Sequence, residues 1–308
     1  MRTVGVGLGD VSCHHLELAP LRTRAPTHLA ARPRTRMAPV VTAGTGAADA
    51  VGFADVQRAA ERLAGHVHHT PVLTSASIDA ATGSEVYLKS EHLQRSGSFK
   101  ARGAHNRMLT LSDNERRRGV VTISSGNHAA ALACAGNRLG VDVTVYMPSD
   151  APELKRRACE GYGATIHDFD READDRQTLL DAHVARTEAV PIPPFDDPHV
   201  IAGQGTVALE FHDQADLDVL VVPMSGGGLM AGCAIASRHI RPGCRVVGVE
   251  PSGADDTARS FAAGERVTIE RPETIADGLA IAAPGLITLP INLELVDEVV
   301  TVDDAMIA

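Results

Sequence analysis

The 308-residue sequence predicts an α/β fold built on parallel sheets, and three observations carry that expectation. Short β-branched runs alternate with helical stretches of about 10–15 residues, which is the pattern of βαβ units. Aromatic residues make up only 3% and tryptophan is absent, so Ala, Val, Leu and Ile must build the core. Cores of that kind belong to strands covered on both faces. The length suits about two domains.

The alternation starts at residue 51. FADVQRAAERLA predicts a helix over 53–64, followed by an extended HHTPVLTS. A short strand is expected at 85–88, a helix at 101–111, a strand at 119–123 and an Ala-rich helix at 127–139. A strand at 142–146 leads to a helix at 152–162, whose early proline suits a helix start. Then come a strand at 164–168, helices at 171–186 and 205–213, a strand at 219–222, a helix at 229–239 and a strand at 245–250. Ligands of such sheets sit at the C-terminal ends of the strands.

Residues 1–50 differ. They carry six arginines against three acids, show no apolar period and end in VTAGTGAADA. A disordered extension is expected there. The composition also resembles a transit peptide but lacks its amphipathic helix. Met37 is a second candidate start.

Composition limits the function classes. A net charge of −10 argues against a nucleic-acid or membrane-surface partner. No run approaches about 18 apolar residues, so no spanning helix is expected. Five scattered cysteines without a CxxC pair suit reduced thiols and a cytoplasmic protein.

VLVVPMSGGGLMAG runs from a strand through Ser225, Gly226, Gly227 and Gly228 into a helix. Successive glycines at such a turn let backbone amides and a helix N-terminus close around an anion, most simply a phosphate. Gly226, Gly228 and Ala231 also fit the dinucleotide fingerprint, with Glu250 where a ribose-binding acid would lie. A nicotinamide-linked dehydrogenase and an enzyme whose cofactor has one terminal phosphate both fit this segment.

Only three lysines occur, Lys89, Lys100 and Lys155; the other 26 basic residues are arginines. Lys100 ends SGSFK and opens a helix, where the dipole disfavours an ammonium. A neutral amine there is a good nucleophile toward an aldehyde. Lys155 reads as a surface residue beside Arg156 and Arg157, and Lys89 is ambiguous. A third strand-to-helix turn carries Ser124, Ser125, Gly126, Asn127 and His128. An amine, a polar clamp and an anion cradle thus lie on three such turns.

SGSFKARGA, SSGNHAAALA, MPSDAP, IAGQGTVALE, VPMSGGGLMAG, VEPSGADD and TIADG occur in one order over roughly residues 53–305. In this the sequence resembles the fold-type II pyridoxal-phosphate enzymes, closest to serine/threonine dehydratase and serine racemase, with hydroxyaspartate dehydratase as a sibling. The resemblance implies two open twisted parallel-sheet domains, tryptophan synthase β-like. A small domain of 119–196 would be inserted in a large one of 51–118 plus 197–308.

It also implies roles. Lys100 would carry the cofactor, with Phe99 beside the ring and Asn127 on the ring hydroxyl. Ser225, Gly226, Gly227, Gly228 and Leu229 would hold the phosphate. Ser124, Ser125, Gly126, Asn127 and His128 would grip the substrate carboxylate, and Ser125 would be the acid/base on the face opposite Lys100. Glu250, the Ala254 carbonyl and Asp256 would hold Mg²⁺ or Ca²⁺, hard cations suited to such oxygens. The expected activity is L-threonine/L-serine ammonia-lyase, alternatively serine racemase or hydroxyaspartate dehydratase, in a cytoplasmic homodimer acting on a small amino acid.

Three positions depart from the family pattern. Ser225 stands where the phosphate loop usually opens with Gly, and His92 where Asn precedes LQ. Family members continue through a last strand and helix that bring a Ser or Cys to the pyridine nitrogen, and this sequence ends at TVDDAMIA. A non-catalytic cofactor-binding remnant is therefore a further reading, alongside the dehydrogenase.

Overall fold

The computed structural model describes residues 3–7, 50–124, 126–171 and 173–308. In chain order its strands are β1 (Thr3–Gly7), β2 (Val72–Thr74), β3 (Glu85–Lys89), β4 (Val120–Ile123), β5 (Val143–Pro148), β6 (Thr165–Phe169), β7 (Val190–Pro191), β8 (Val219–Pro223), β9 (Arg245–Pro251) and β10 (Glu298–Val302). The helices are α1 (Phe53–Leu63), α2 (Ala76–Thr82), α3 (Lys100–Leu109), α4 (Asp113–Arg118), α5 (Asn127–Leu139), α6 (Glu153–Gly161), α7 (Arg176–Thr187), α8 (Pro198–Gln214), α9 (Gly228–Ile240), α10 (Asp256–Ala263), α11 (Thr288–Leu295) and α12 (Asp304–Ile307).

The strands form two sheets, ordered β10-β9-β8-β1-β3-β2 and β6-β5-β4-β7. Every pairing is parallel except that of β2, which runs antiparallel to β3 at one edge. The smaller sheet comes entirely from residues 120–191. Its core joins Val143, Val145 and Met147 to Ala129, Leu132 and Met108. The larger sheet packs Leu220, Val222 and Val246 against Ile201, Phe211, Met230 and Ile235. Aliphatic and methionine side chains dominate both, as a nearly aromatic-free composition requires.

One expectation is corrected. Residues 3–7 lie in the segment expected to be without regular structure, yet they form β1 in the middle of the larger sheet. β1 pairs with β3 from Thr3–Glu85 to Gly7–Lys89, and with β8 from Val4–Val219 to Val6–Val221. Five residues are too few to show a period, but two parallel neighbours satisfy their backbone groups. The remainder of residues 8–49, with Cys13 and Met37, lies outside the described residues.

The IAGQG motif sets the relation between α3, α8 and α9. A Cβ on Gly203 would lie 2.7 Å from the Gly103 Cα, and one on Gly205 would lie 2.7 Å from the Gly232 carbonyl oxygen. α8 therefore touches both neighbours backbone to backbone. This contact fixes α3, which starts at Lys100, relative to α9, which starts in the glycine loop. α8 also starts seven residues earlier than expected, because Asp197 caps it by accepting from His199 and Val200 N–H with Pro198 in the first turn.

Candidate active site

Lys100 is the first residue of α3, with Phe99 at its N-cap. Before it, Ser96 and Gly97 both take left-handed backbone angles, φ 58° and 78°. That tight turn carries the chain from the short helical turn at 95–97 into α3. The Lys100 Nζ donates to the Pro194 carbonyl at 2.6 Å and lies 5.1 Å from the Phe99 ring centre. Burial pushes its amine down to about 8. The direction is the one expected from sequence, and its cause is desolvation of the amine.

The other lysines have different fates. Lys89, at the end of β3, is fully buried and donates to the Thr70 carbonyl, Glu210 and Gln214, each at 2.8 Å. It belongs to an ion network in which Arg102, also fully buried, forks between Glu91 and Glu210. Lys155 pairs with Asp277 near the surface.

The glycine loop joins β8 to α9. Gly227 has φ 89°, open to glycine at little cost. A Cβ on Gly226 would lie 2.3 Å from the Phe195 ring, and one on Gly228 would lie 2.9 Å from Phe195. The Gly226 carbonyl accepts from Thr288 Oγ1 at 2.5 Å and the Gly227 carbonyl from Asn292 Nδ2 at 3.3 Å. The N–H groups of Gly226, Gly227, Gly228 and Leu229 have no acceptor among the described residues. Carbonyls engaged and amides free are what a phosphate needs.

On the third turn Asn127 opens α5 behind Gly126, and the Ser124 hydroxyl accepts from the Gly126 N–H at 3.3 Å. His128 is the second residue of α5. Its imidazole is buried, 3% exposed, with Nε2 3.0 Å from the Ile192 carbonyl. Burial, with Lys100 nearby, pushes it down to about 3, so it is neutral. Its backbone lies in the first turn of α5. Ser125 lies outside the described residues.

One segment, residues 192–196, links the three turns. The Ile192 carbonyl meets His128, the Pro194 carbonyl meets Lys100, and Phe195 packs on Gly226 and Gly228. Sequence reading missed this segment. Its only signal is the run IPPFDDP, where clustered prolines mark a connection whose carbonyls no regular ladder uses.

Glu250 lies near the end of its strand as a fully buried residue, and Asp256, equally buried, opens α10. Glu250 Oε1 accepts from the Ala258 N–H at 2.6 Å. Glu250 Oε2 and both Asp256 carboxylate oxygens are buried without a partner. Burial raises both groups to about 7, and the mutual repulsion of the carboxylates adds to Asp256. The buried Ala254 lies between them in a short helical turn. Three orphaned carboxylate oxygens fit a divalent cation, although the described residues contain no cluster of three or more His, Cys, Asp or Glu side chains suited to a metal. Thr257 Oγ1 approaches the Ser225 carbonyl at 3.4 Å, so this turn touches the glycine loop.

Comparison with known proteins agrees with this arrangement. Residues 63–308 match the family described as pyridoxal-phosphate dependent enzyme. The L-threo-3-hydroxyaspartate ammonia-lyase of Saccharomyces cerevisiae is 45% identical over 253 residues, covering 82% of this chain and 78% of the relative. The structure of maize serine racemase superposes with a TM-score of 0.82 at 42% identity, covering 84% of this chain and 78% of that one. The serine racemase of Dictyostelium discoideum gives 0.79 at 41% identity, covering 84% and 83%. With Lys100 and a glycine loop of free amides meeting at one segment, and with matches of this extent, the chain belongs to the pyridoxal-phosphate-dependent enzyme family.

Proposed function

We propose that the chain is a pyridoxal-phosphate-dependent ammonia-lyase for small β-hydroxy amino acids, L-threonine or L-serine, giving a 2-oxo acid and ammonia. The single observation behind this reading is that Lys100 and the glycine loop meet two adjacent residues, Pro194 and Phe195. That proximity supports a reading in which a reactive amine and a phosphate cradle would act on one ligand. L-threo-3-hydroxyaspartate is the second substrate reading, favoured by the 45%-identical relative that bears that name.

When bound, pyridoxal phosphate supplies an aldehyde for the substrate amine and a ring that takes up the electrons of a broken Cα–H bond. The free amides of Gly226, Gly227, Gly228 and Leu229 would hold its phosphate. Phe99 and Asn127 would flank its ring and ring hydroxyl. The first turn of α5, with Ser124 and Gly126, would bind the substrate carboxylate. Lys100 Nζ would take the α-proton, a role suited to an amine near 8. Ser125 would return a proton on the opposite face if the protein also racemises.

Glu250, the Ala254 carbonyl and Asp256 would hold Mg²⁺ or Ca²⁺. Residues 119–196 would form the small domain. The protein would work as a cytoplasmic homodimer; four free buried cysteines, Cys134, Cys159, Cys233 and Cys244, support a reduced setting.

The test is ammonia and 2-oxo acid release from L-serine, L-threonine and L-threo-3-hydroxyaspartate after cofactor loading, with chiral analysis of the remaining substrate. Elimination from at least one is expected. Cofactor uptake without turnover or racemisation of any of them would replace the lyase with the non-catalytic remnant.

A further inference from the structure

Behind the glycine loop, a chain of hydrogen bonds leads back from the buried Thr288 to the half-buried Asp196. Its Oδ2 accepts from the Leu286 N–H at 2.8 Å, and its Oδ1 accepts from Ile287 at 2.8 Å and Thr288 at 3.2 Å. These are N–H groups at the start of α11, which would otherwise lack acceptors. Gly285 has no room for a side chain: a Cβ there would lie 2.3 Å from Asp196 Oδ1 and 2.7 Å from Thr288 Oγ1. The capped helix presents two fully buried side chains one turn apart, Thr288 and Asn292. Thr288 Oγ1 gives its single proton to the Gly226 carbonyl and accepts from the Gly285 N–H at 3.1 Å. Asn292 Nδ2 donates to the Gly227 carbonyl.

A planar trans peptide points its C=O and its N–H in opposite directions. The Gly226 carbonyl, held by Thr288 Oγ1 and by the Gly285 N–H at 3.2 Å, therefore turns the Gly227 N–H away from α11, and the Gly227 carbonyl, held by the Ala231 N–H at 2.8 Å as well as by Asn292, does the same for Gly228. Neither N–H has an acceptor among the described residues. We infer that Asp196 is a positioning residue for the cofactor phosphate: by capping α11 it sets Thr288 and Asn292, which aim the Gly227 and Gly228 amides at the anion. The inference rests on the pyridoxal-phosphate reading and extends it to residues outside the cradle.

Two simpler roles for Asp196 give different results. A carboxylate close to a phosphate repels it, so a purely electrostatic role would make Asp196→Ala bind the cofactor more tightly. A purely structural cap would weaken every ligand of the site alike.

The apoprotein and its variants are titrated separately with pyridoxal phosphate and with pyridoxal, which lacks the phosphate. Asp196→Ala should weaken pyridoxal phosphate about tenfold, the scale of one misdirected bond to a charged group, and leave pyridoxal within about twofold. Thr288→Val, which keeps the shape and loses the proton, should do the same, and Thr288→Ser should restore wild-type affinity. Thr288→Val also stands alone if Asp196→Ala does not fold. Equal weakening of both ligands, tighter phosphate-ligand binding, or a Thr288→Val protein with wild-type affinities would each overturn the inference. A wild-type protein that does not prefer pyridoxal phosphate over pyridoxal would overturn the cofactor reading itself, and this inference with it.

Discussion

The Lys100 amine rests on a neutral acceptor, the Pro194 carbonyl at 2.6 Å, whereas the Lys89 amine is paired with a carboxylate, that of Glu210, at 2.8 Å. A carbonyl holds an amine in place without stabilising its charge as a carboxylate would. A half-buried lysine on a neutral acceptor and a fully buried one tied into the ion network thus have different electrostatic surroundings.

The first prediction separates them. Borohydride treatment of the cofactor-loaded protein should fix the cofactor on Lys100, and Lys100→Ala should abolish both labelling and turnover. Lys89→Ala should still be labelled at Lys100 but should lose about 3 kcal/mol of stability, because Glu210 and Gln214 lose a buried partner. Peptide mapping and denaturant titration read the two effects. Label found on Lys89 would sink the assignment.

The second concerns pH. With the Lys100 amine lowered to about 8 from 10.5, capture of the cofactor aldehyde by apoprotein should speed up as pH rises toward 8 and level off above it. Between about 8 and 10.5 the unfolded chain holds a proton on this lysine that the folded chain has released. Stability from this group should therefore rise with pH across that window. Lys100→Met should remove that rise, and a stopped-flow pH series on apoprotein tests the capture rate. A capture rate still climbing steeply at pH 10 would contradict a buried, lowered amine.

Much of this site was legible from the sequence because its parts are local. Asn127–Leu139 is a helix over the same residues that its Ala-rich run marks, and the glycine loop lies between a β-branched strand and an apolar helix. The unread parts depend on contacts between distant residues. Pro194, Asp196, Thr288 and Asn292 have ordinary local surroundings and gain meaning only when 192–196 and α11 meet the glycine loop. α11 contains Pro290 in its first turn, where proline is tolerated, yet in sequence it reads as a break. His128 sits at a helix start that suggests a ligand, but its ring turns inward to the Ile192 carbonyl.

The third prediction tests the carboxylate pair. Chelation should lower the melting temperature, and Mg²⁺ or Ca²⁺ should restore it, because an ion held only by the folded state stabilises that state. Asp256→Ala should abolish the response. Cofactor affinity should fall on chelation too, since Thr257 connects this turn to the Ser225 carbonyl. An unchanged melt in chelator, with no metal by elemental analysis, would leave the pair as two buried acids sharing protons.

The fourth concerns β1. A protein starting at Met37 loses the strand between β8 and β3. It should melt well below the full chain and bind pyridoxal phosphate poorly, because the strands leading to the glycine loop and toward Lys100 no longer share a sheet. Equal melting temperatures and affinities for the two proteins would show that β1 contributes nothing to the sheet.

The position of β1 also bears on translation. Its partners are Glu85 through Lys89 on one side and Val219 through Val221 on the other. At ribosomal speeds of about 5–20 residues per second, β1 waits roughly ten to forty seconds for its second neighbour. During that time a β-prone TVGVG run has one side of its backbone unpaired, the kind of edge that templates association between nascent chains. The larger sheet therefore closes late, when β8 emerges, and codon usage between residues 90 and 220 becomes a lever on the yield of folded enzyme.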